Sequence, residues 1–233
     1  EDTLWLKEVD KCALQNTLKR LDSAYQNFFR RVKEGKKPGF PHFKSKKQKR
    51  QSYQTNSNIK VFESAVQLPK LGKVKCRVSR PVQGRILSAT VSRSASGKYY
   101  VSLCCRLEED PPKLPSTGAI IGLDMGIKSF TVSSDGIEYT NHKYLRQSEK
   151  KLKRLQRQLT QKTKGSANWE KARIRVARLH EHVANQRSDM QQKLSTEIIR
   201  QNDIICVEDL APANLVRNDK LAKSIADAAW SEF

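Results

Sequence analysis

No apolar run in this chain approaches the roughly twenty residues that span a bilayer, so a membrane-crossing helix is not expected. Cysteine is sparse and poorly spaced for chemistry. The five residues Cys12, Cys76, Cys104, Cys105 and Cys206 form no C-x-x-C pair, which excludes a zinc ribbon or a dithiol redox centre built from them. Odd in number and set in apolar segments, they read as reduced core thiols. Glu1-Asp2-Thr3 lacks the charged and apolar regions of a signal peptide, so the expected compartment is the cytoplasm. Acid is scarcer than base, with 24 Asp and Glu against 45 Lys and Arg and a net charge of +21. An excess of that size points to a polyanionic partner rather than to a small-molecule substrate. The length, 233 residues, suffices for one large or two small domains with a real core.

The periodicity changes along the chain. Leu14, Leu18, Leu21, Tyr25, Phe28 and Val32 recur every three or four residues, which predicts an amphipathic helix over 10–34 capped by Asp10 and stopped by Gly35. Pro38-Gly39-Phe40-Pro41 makes a stiff exit. The run Lys44-Ser45-Lys46-Lys47-Gln48-Lys49-Arg50 follows. It is a solvated linker or a phosphate-contacting strap, beside aromatics (Phe40, His42, Phe43, Tyr53) able to stack on bases. From 58 to 107 the period becomes two. Residues 73–80 alternate strictly, and 85–93 with 98–107 predict a hairpin around Ser94–Gly97, so a small antiparallel β-barrel is expected. Pro111, Pro112 and Pro115 mark a linker. Beyond it, 147–164 and 168–201 predict two helices packed as an antiparallel hairpin, and a last helix is expected over 219–233. His180 and His182, two apart on a helix, do not share a face and read as surface residues.

Acid in apolar strands is the sharper signal. Ile120 through Met125 carries a lone carboxylate, Asp124, between Gly122 and Gly126, and Ile204 through Val207 leads directly into Glu208. A charge among Ile, Leu and Met is costly unless a cation meets it. On a strand, Ile120, Gly122 and Asp124 share one face, and Ile204, Cys206 and Glu208 share another. Were the two strands neighbours, both acids could converge on Mg²⁺ or Mn²⁺, which takes oxygen ligands and keeps waters and phosphate. Paired ions of this kind support in-line phosphodiester hydrolysis. A third acid would be expected. Asp209 faces away, and Asp227 in the last helix is a weaker candidate.

Three blocks resemble a known family: Leu18 through Lys47 with Gly39-Phe40-Pro41-His42-Phe43-Lys44; Ile121 through Lys128; and Ile204 through Leu210 followed by Asn214 and Ser224 through Trp230. Together they resemble TnpB, the OrfB-type transposase proteins of insertion sequences and relatives of type V CRISPR effectors. The resemblance implies an α+β chain: a helical recognition segment over 1–35, a wedge-like barrel over 36–115, and an incomplete RNase H-like (RuvC) domain over 116–233 with a helical hairpin at about 147–201. It implies an RNA-guided DNA endonuclease whose partners are a guide RNA from the transposon end and target double-stranded DNA. Asp124 and Glu208 then correspond to the first two RuvC acids and metal ligands. Lys44, Lys46, Lys47, Lys49, Arg50, Lys128, Lys151, Arg154 and Arg157 are the expected nucleic-acid contacts. Members of the family begin with an additional wedge strand and continue into a Zn²⁺ ribbon and a third catalytic Asp, none of which occurs in these 233 residues. The expectation is therefore a fragment that is catalytically incomplete. The alternatives are a guided DNA binder without cleavage and a general basic nucleic-acid binder.

Overall fold

A computed structural model describes residues 3–43, 45, 51–110, 112–218 and 220–233. The strap residues Lys44, Lys46, Lys47, Lys49 and Arg50 lie outside the described residues. The chain forms two compact units, Glu1–Pro111 and Pro112–Phe233.

In the first unit, helix α1 spans Lys11–Lys33, and the Asp10 carboxylate accepts the Cys12 N–H at 3.2 Å. Its far end closes on Gly35, φ +65°, with Gly35 N–H donating to Val32 O and Lys36 N–H to Arg31 O. That paired bonding requires a left-handed residue, which glycine supplies. The helix rests on strand β1 (Gln51–Thr55) through polar contacts: Asn16 Nδ2 reaches Gln54 O at 3.0 Å, and Arg20 Nη2 reaches Gln54 Oε1 at 2.9 Å. Only Ala13 of the helix is buried; of its apolar stripe Leu18, Leu21 and Val32 are exposed, while Leu14, Tyr25 and Phe28 are half-buried, the two rings against Phe40.

The remaining strands are β2 (Lys60–Phe62), β3 (Ala65–Leu68), β4 (Gly72–Lys75), β5 (Arg85–Arg93) and β6 (Tyr99–Arg106). They form two antiparallel three-stranded sheets, β1-β5-β6 and β2-β3-β4, sharing a core of Val66, Leu68 and Ala89. This corrects the expected barrel: among the described residues no closed barrel forms. The strand expected over 73–80 survives only as Gly72–Lys75, with all four residues exposed. Beyond it the Cys76 N–H is held by Ser64 O at 2.9 Å, and among the described residues the cationic stretch after Cys76 finds no partner strand before Pro81, which has no N–H to offer.

The second unit is a mixed sheet of β7 (Ile120–Met125), β8 (Ser129–Ser133), β9 (Glu138–Thr140) and β10 (Ile204–Val207) in the order β10-β7-β8-β9. The first three strands form an antiparallel meander, and β10 runs parallel to β7. A parallel return needs a crossover, here α2 (Tyr144–Thr160) and α3 (Ala167–Gln201). Gly165, φ +89°, turns the chain, and Ser166 Oγ caps α3 by accepting the Trp169 N–H at 3.1 Å. Leu152, Leu155 and Leu159 are half-buried, as expected of a stripe packed on α3. The core comprises Ile121, Leu123, Phe130, Leu194 and Ile198, with the fully buried Phe130 ring edge-on to Phe233 at 5.2 Å. The single helix expected over 219–233 is instead α5 (Ala222–Ala228) and a 3₁₀ turn at Trp230–Glu232, preceded by the short α4 (Pro212–Leu215). Ala229, φ +52°, ends α5 in the left-handed region and breaks the helix. Among the described residues no helix is long and apolar enough to cross a membrane.

Candidate functional site

The paired strands β7 and β10 build the site. Their register sets Ile204 beside Ile120, Cys206 beside Gly122 and Val207 beside Leu123. Continued by one residue, it brings Glu208 to the level of Asp124. Registered residues of a parallel pair point to the same side, so Ile120 and Gly122 share a face with Ile204 and Cys206; β10 ends at Val207, and Glu208, just past it, lines a groove with Leu123, Met125, Ile205 and Val207. The opposite face of β7 carries the buried Ile121 and Leu123 into the core. Apolar contacts therefore fix which way the strand lies, and Asp124 and Glu208 both emerge in solvent.

Backbone details hold the acid-bearing turn. Thr131 Oγ1 donates to the Asp124 carbonyl at 2.9 Å, and Asn141 Nδ2 donates to the Ile127 carbonyl at 2.9 Å. A Cβ at Gly126 would lie 2.9 Å from the Ser129 carbonyl oxygen, so the tight return after Asp124 admits only glycine. At Gly122 a Cβ would meet nothing nearer than Ser134 Cβ at 3.7 Å. Lys128 projects from the same turn and is exposed.

The other predicted residues divide clearly. Lys151, Arg154 and Arg157 are exposed on α2, away from its leucine stripe. Asp227 does not join the acids. It is buried, and its two carboxylate oxygens accept the Leu145 N–H at 2.9 Å and the Arg146 N–H at 3.1 Å, with Arg187 Nη2 at 3.5 Å. It caps the start of α2, whose own N-cap residue, Lys143, provides no side-chain acceptor. His180 and His182 are exposed. Of the thiols expected in the core, Cys104 and Cys206 are exposed, because each lies on the solvent side of its strand. Among the described residues no three His, Cys, Asp or Glu side chains cluster as a metal site would require.

The sequence reading passed over Asp203. Its carboxylate accepts Ser116 Oγ at 2.5 Å, Thr117 N–H at 3.0 Å, Thr117 Oγ1 at 3.0 Å and Gly118 N–H at 2.8 Å. These donors, the Ser116 hydroxyl foremost, hold its carboxyl well below the usual range. The available signal was an Asn-Asp pair directly before an apolar strand, a turn signature.

The donor chemistry at Asp124 and Glu208 suits a hard divalent cation. Two exposed carboxylates leave room for waters and for phosphate oxygens, as Mg²⁺ prefers. Two acids would hold such an ion less firmly than a fuller set.

Comparison with known proteins adds lineage. Residues 102–219 match the family OrfB_IS605, described as "Probable transposase". The chain is 38% identical over 237 residues to a "Putative RNA-guided DNA endonuclease" of Streptomyces pristinaespiralis, an alignment covering 100% of this chain and 57% of that protein. It is 35% identical over 249 residues to "Putative RNA-guided DNA endonuclease InsQ" of Escherichia coli (strain K12), covering 100% of this chain and 60% of the relative. The chain thus spans somewhat over half the length of these relatives.

Proposed function

The chain belongs to the OrfB_IS605 (TnpB) transposase family, and from that premise we propose that it carries part of an RNA-guided, divalent-cation-dependent DNA endonuclease of a transposable element. The observation that supports the proposal is the parallel register of β10 on β7, with Val207 beside Leu123, each one residue before an exposed acid. The helical crossover between the two acid-bearing strands supports an RNase H-like, RuvC-type reading of Pro112–Phe233, and the two small sheets of the first unit support a wedge-like role.

In this reading Asp124 and Glu208 hold Mg²⁺ or Mn²⁺, which supplies Lewis-acid stabilisation of the phosphodiester under attack. Asp124 is fixed by its strand and by the Thr131 bond to its carbonyl, and Glu208 by its place at the end of β10. Lys128 contacts a phosphate beside the acids. Lys151, Arg154 and Arg157 offer cations along α2, and Lys44, Lys46, Lys47, Lys49 and Arg50 contribute a basic strap. The partners are a guide RNA, which reads sequence by base pairing, and a target DNA duplex. A Zn²⁺ ribbon and a third acid belong to the longer polypeptide that the family resemblance implies.

The test is expression with the transposon-end transcript. A single RNA species of defined length should co-purify with the chain. In the polypeptide that carries this chain, matched DNA should be cut in Mg²⁺, and Asp124→Ala or Glu208→Ala should lower cleavage by at least ~10³-fold while RNA retention persists. Cleavage that survives Asp124→Ala overturns the site assignment. One observation favours a second reading, a guided binder without cleavage: no third acid joins the pair among the described residues. Guided DNA binding with no cleavage by the carrying polypeptide would establish it.

A further inference from the structure

β10 is a poor specifier of its own position. It has four residues, lies at the edge of the sheet and, among the described residues, pairs only with β7. Its sequence, Ile-Ile-Cys-Val, is apolar on both faces, and Ile204 and Val207 remain 52% and 61% exposed. The usual device that fixes register, apolar residues on one face and polar ones on the other, is therefore weak here. A slip of one residue would exchange the faces of β10 and move Glu208 along the sheet relative to Asp124.

The register is nevertheless defined, and the bonding just ahead of the strand shows how. The Asp203 carboxylate gathers Ser116 Oγ, Thr117 N–H and Oγ1, and Gly118 N–H, all from the segment that leads into β7. The Asp203 and Ile204 N–H groups both donate to Ala119 O, at 2.9 and 3.3 Å. Gly118, φ +69°, takes the left-handed conformation that turns successive amides toward one anion. A slipped strand would lose all of these bonds together. Asp203 precedes Glu208 by the same five residues that separate Ala119 from Asp124, a rise of about 16 Å.

We propose that Asp203 is a positioning residue: by clamping the start of β10 to the segment 116–119, it sets the register of β10 on β7 and so the level at which Glu208 leaves the strand beside Asp124. The clamp follows from the bonding alone; its consequence for cleavage rests on the nuclease reading above.

Cys206 is a built-in reporter. It is exposed and registered with Gly122, where an added side chain meets only Ser134 Cβ at ordinary contact distance. Adjacent strands are spaced within disulfide reach. In the Gly122→Cys variant of the full chain, mild oxidation followed by peptide mapping should join positions 122 and 206 in high yield. Adding Asp203→Ala should lower that yield at least five-fold, while hydrogen-exchange protection of the core around Ile198 persists. Yield unchanged in Asp203→Ala overturns the proposal. If Asp203→Ala loses core protection, Ser116→Ala with Thr117→Val, which removes donors and keeps the carboxylate, is read in its place against the same two outcomes. In the carrying polypeptide, Asp203→Ala should lower kcat with KM for DNA unchanged. Cross-linking requires no activity, so it separates failure of the clamp from failure of the nuclease reading.

Discussion

Asp227 and Asp124 lie in the same unit and differ in what surrounds them. Asp227 is buried and receives two main-chain N–H groups at the start of α2 together with the Arg187 guanidinium. Removing a buried acceptor leaves those donors and that charge without their partner, which costs several kcal/mol in comparable sites. Asp227→Ala should therefore lose about 3 kcal/mol of stability in denaturant unfolding; a loss below ~1 kcal/mol would mean that water replaces the cap. Asp124→Ala, at an exposed position, should leave stability within ~0.5 kcal/mol of the parent. Phe130 is the opposite extreme: fully buried and edge-on to Phe233, it should cost about 3–5 kcal/mol on replacement by Ala.

At the scale of elements, the half-buried Glu149 and the exposed Asp203 join neighbouring segments, and both make stability depend on pH. Glu149 on α2 hydrogen-bonds Lys153 and, across to α5, Lys223, which lowers its carboxyl to about 2. A depressed acid contributes stability that is fully present above its unfolded value, about 4.3 for Glu, and lost as pH falls toward the folded one. The difference in Tm between the parent and Glu149→Gln should hold at pH 6 and shrink as pH is lowered through 4 toward 2. Salt should shrink it too, since its lysine partners are exposed. Asp203 follows the same sign, its contribution fading below the ordinary Asp range near 3.9. Elements with strong periodicity or clear stop residues were legible in the sequence: α1 was expected over 10–34 and runs Lys11–Lys33, and the hairpin of 85–93 with 98–107 is β5 and β6. The misreadings share a cause, since local pattern does not report whether a partner exists. Residues 73–80 alternate like a strand but have a neighbour only as far as Cys76, and the helix of 219–233 has suitable residues yet breaks at Ala229. The pairing of β7 with β10 was legible only as a condition, because strand pairing over about eighty residues leaves no local trace. Asp203 and Asp227 act through main-chain amides of distant segments, which no spacing in the sequence could reveal.

For the whole molecule, the net charge of +21 is a statement about partners and salt. Each phosphate neutralised by Lys or Arg contributes about 0.9 to the slope of log affinity against log salt on duplex DNA. Replacing Lys151, Arg154 and Arg157 together by Gln should flatten that slope by up to about 2.7 if all three contact phosphate; an unchanged slope would remove α2 from the binding face. The helical hairpin of α2 and α3 also has a kinetic meaning. It fills most of the chain between β7 and β10, and α3 ends at Gln201, three residues before β10 begins at Ile204. Helices form in about a microsecond from local contacts, whereas closing a long flexible loop costs entropy before any strand bond compensates it. Once the hairpin has folded, the flexible part of the crossover is short, and the apparent contact order of the parallel pair falls. The pairing of β10 with β7 is then expected late in folding. Substitutions that fray the hairpin should slow that pairing more than they lower the stability of the finished fold.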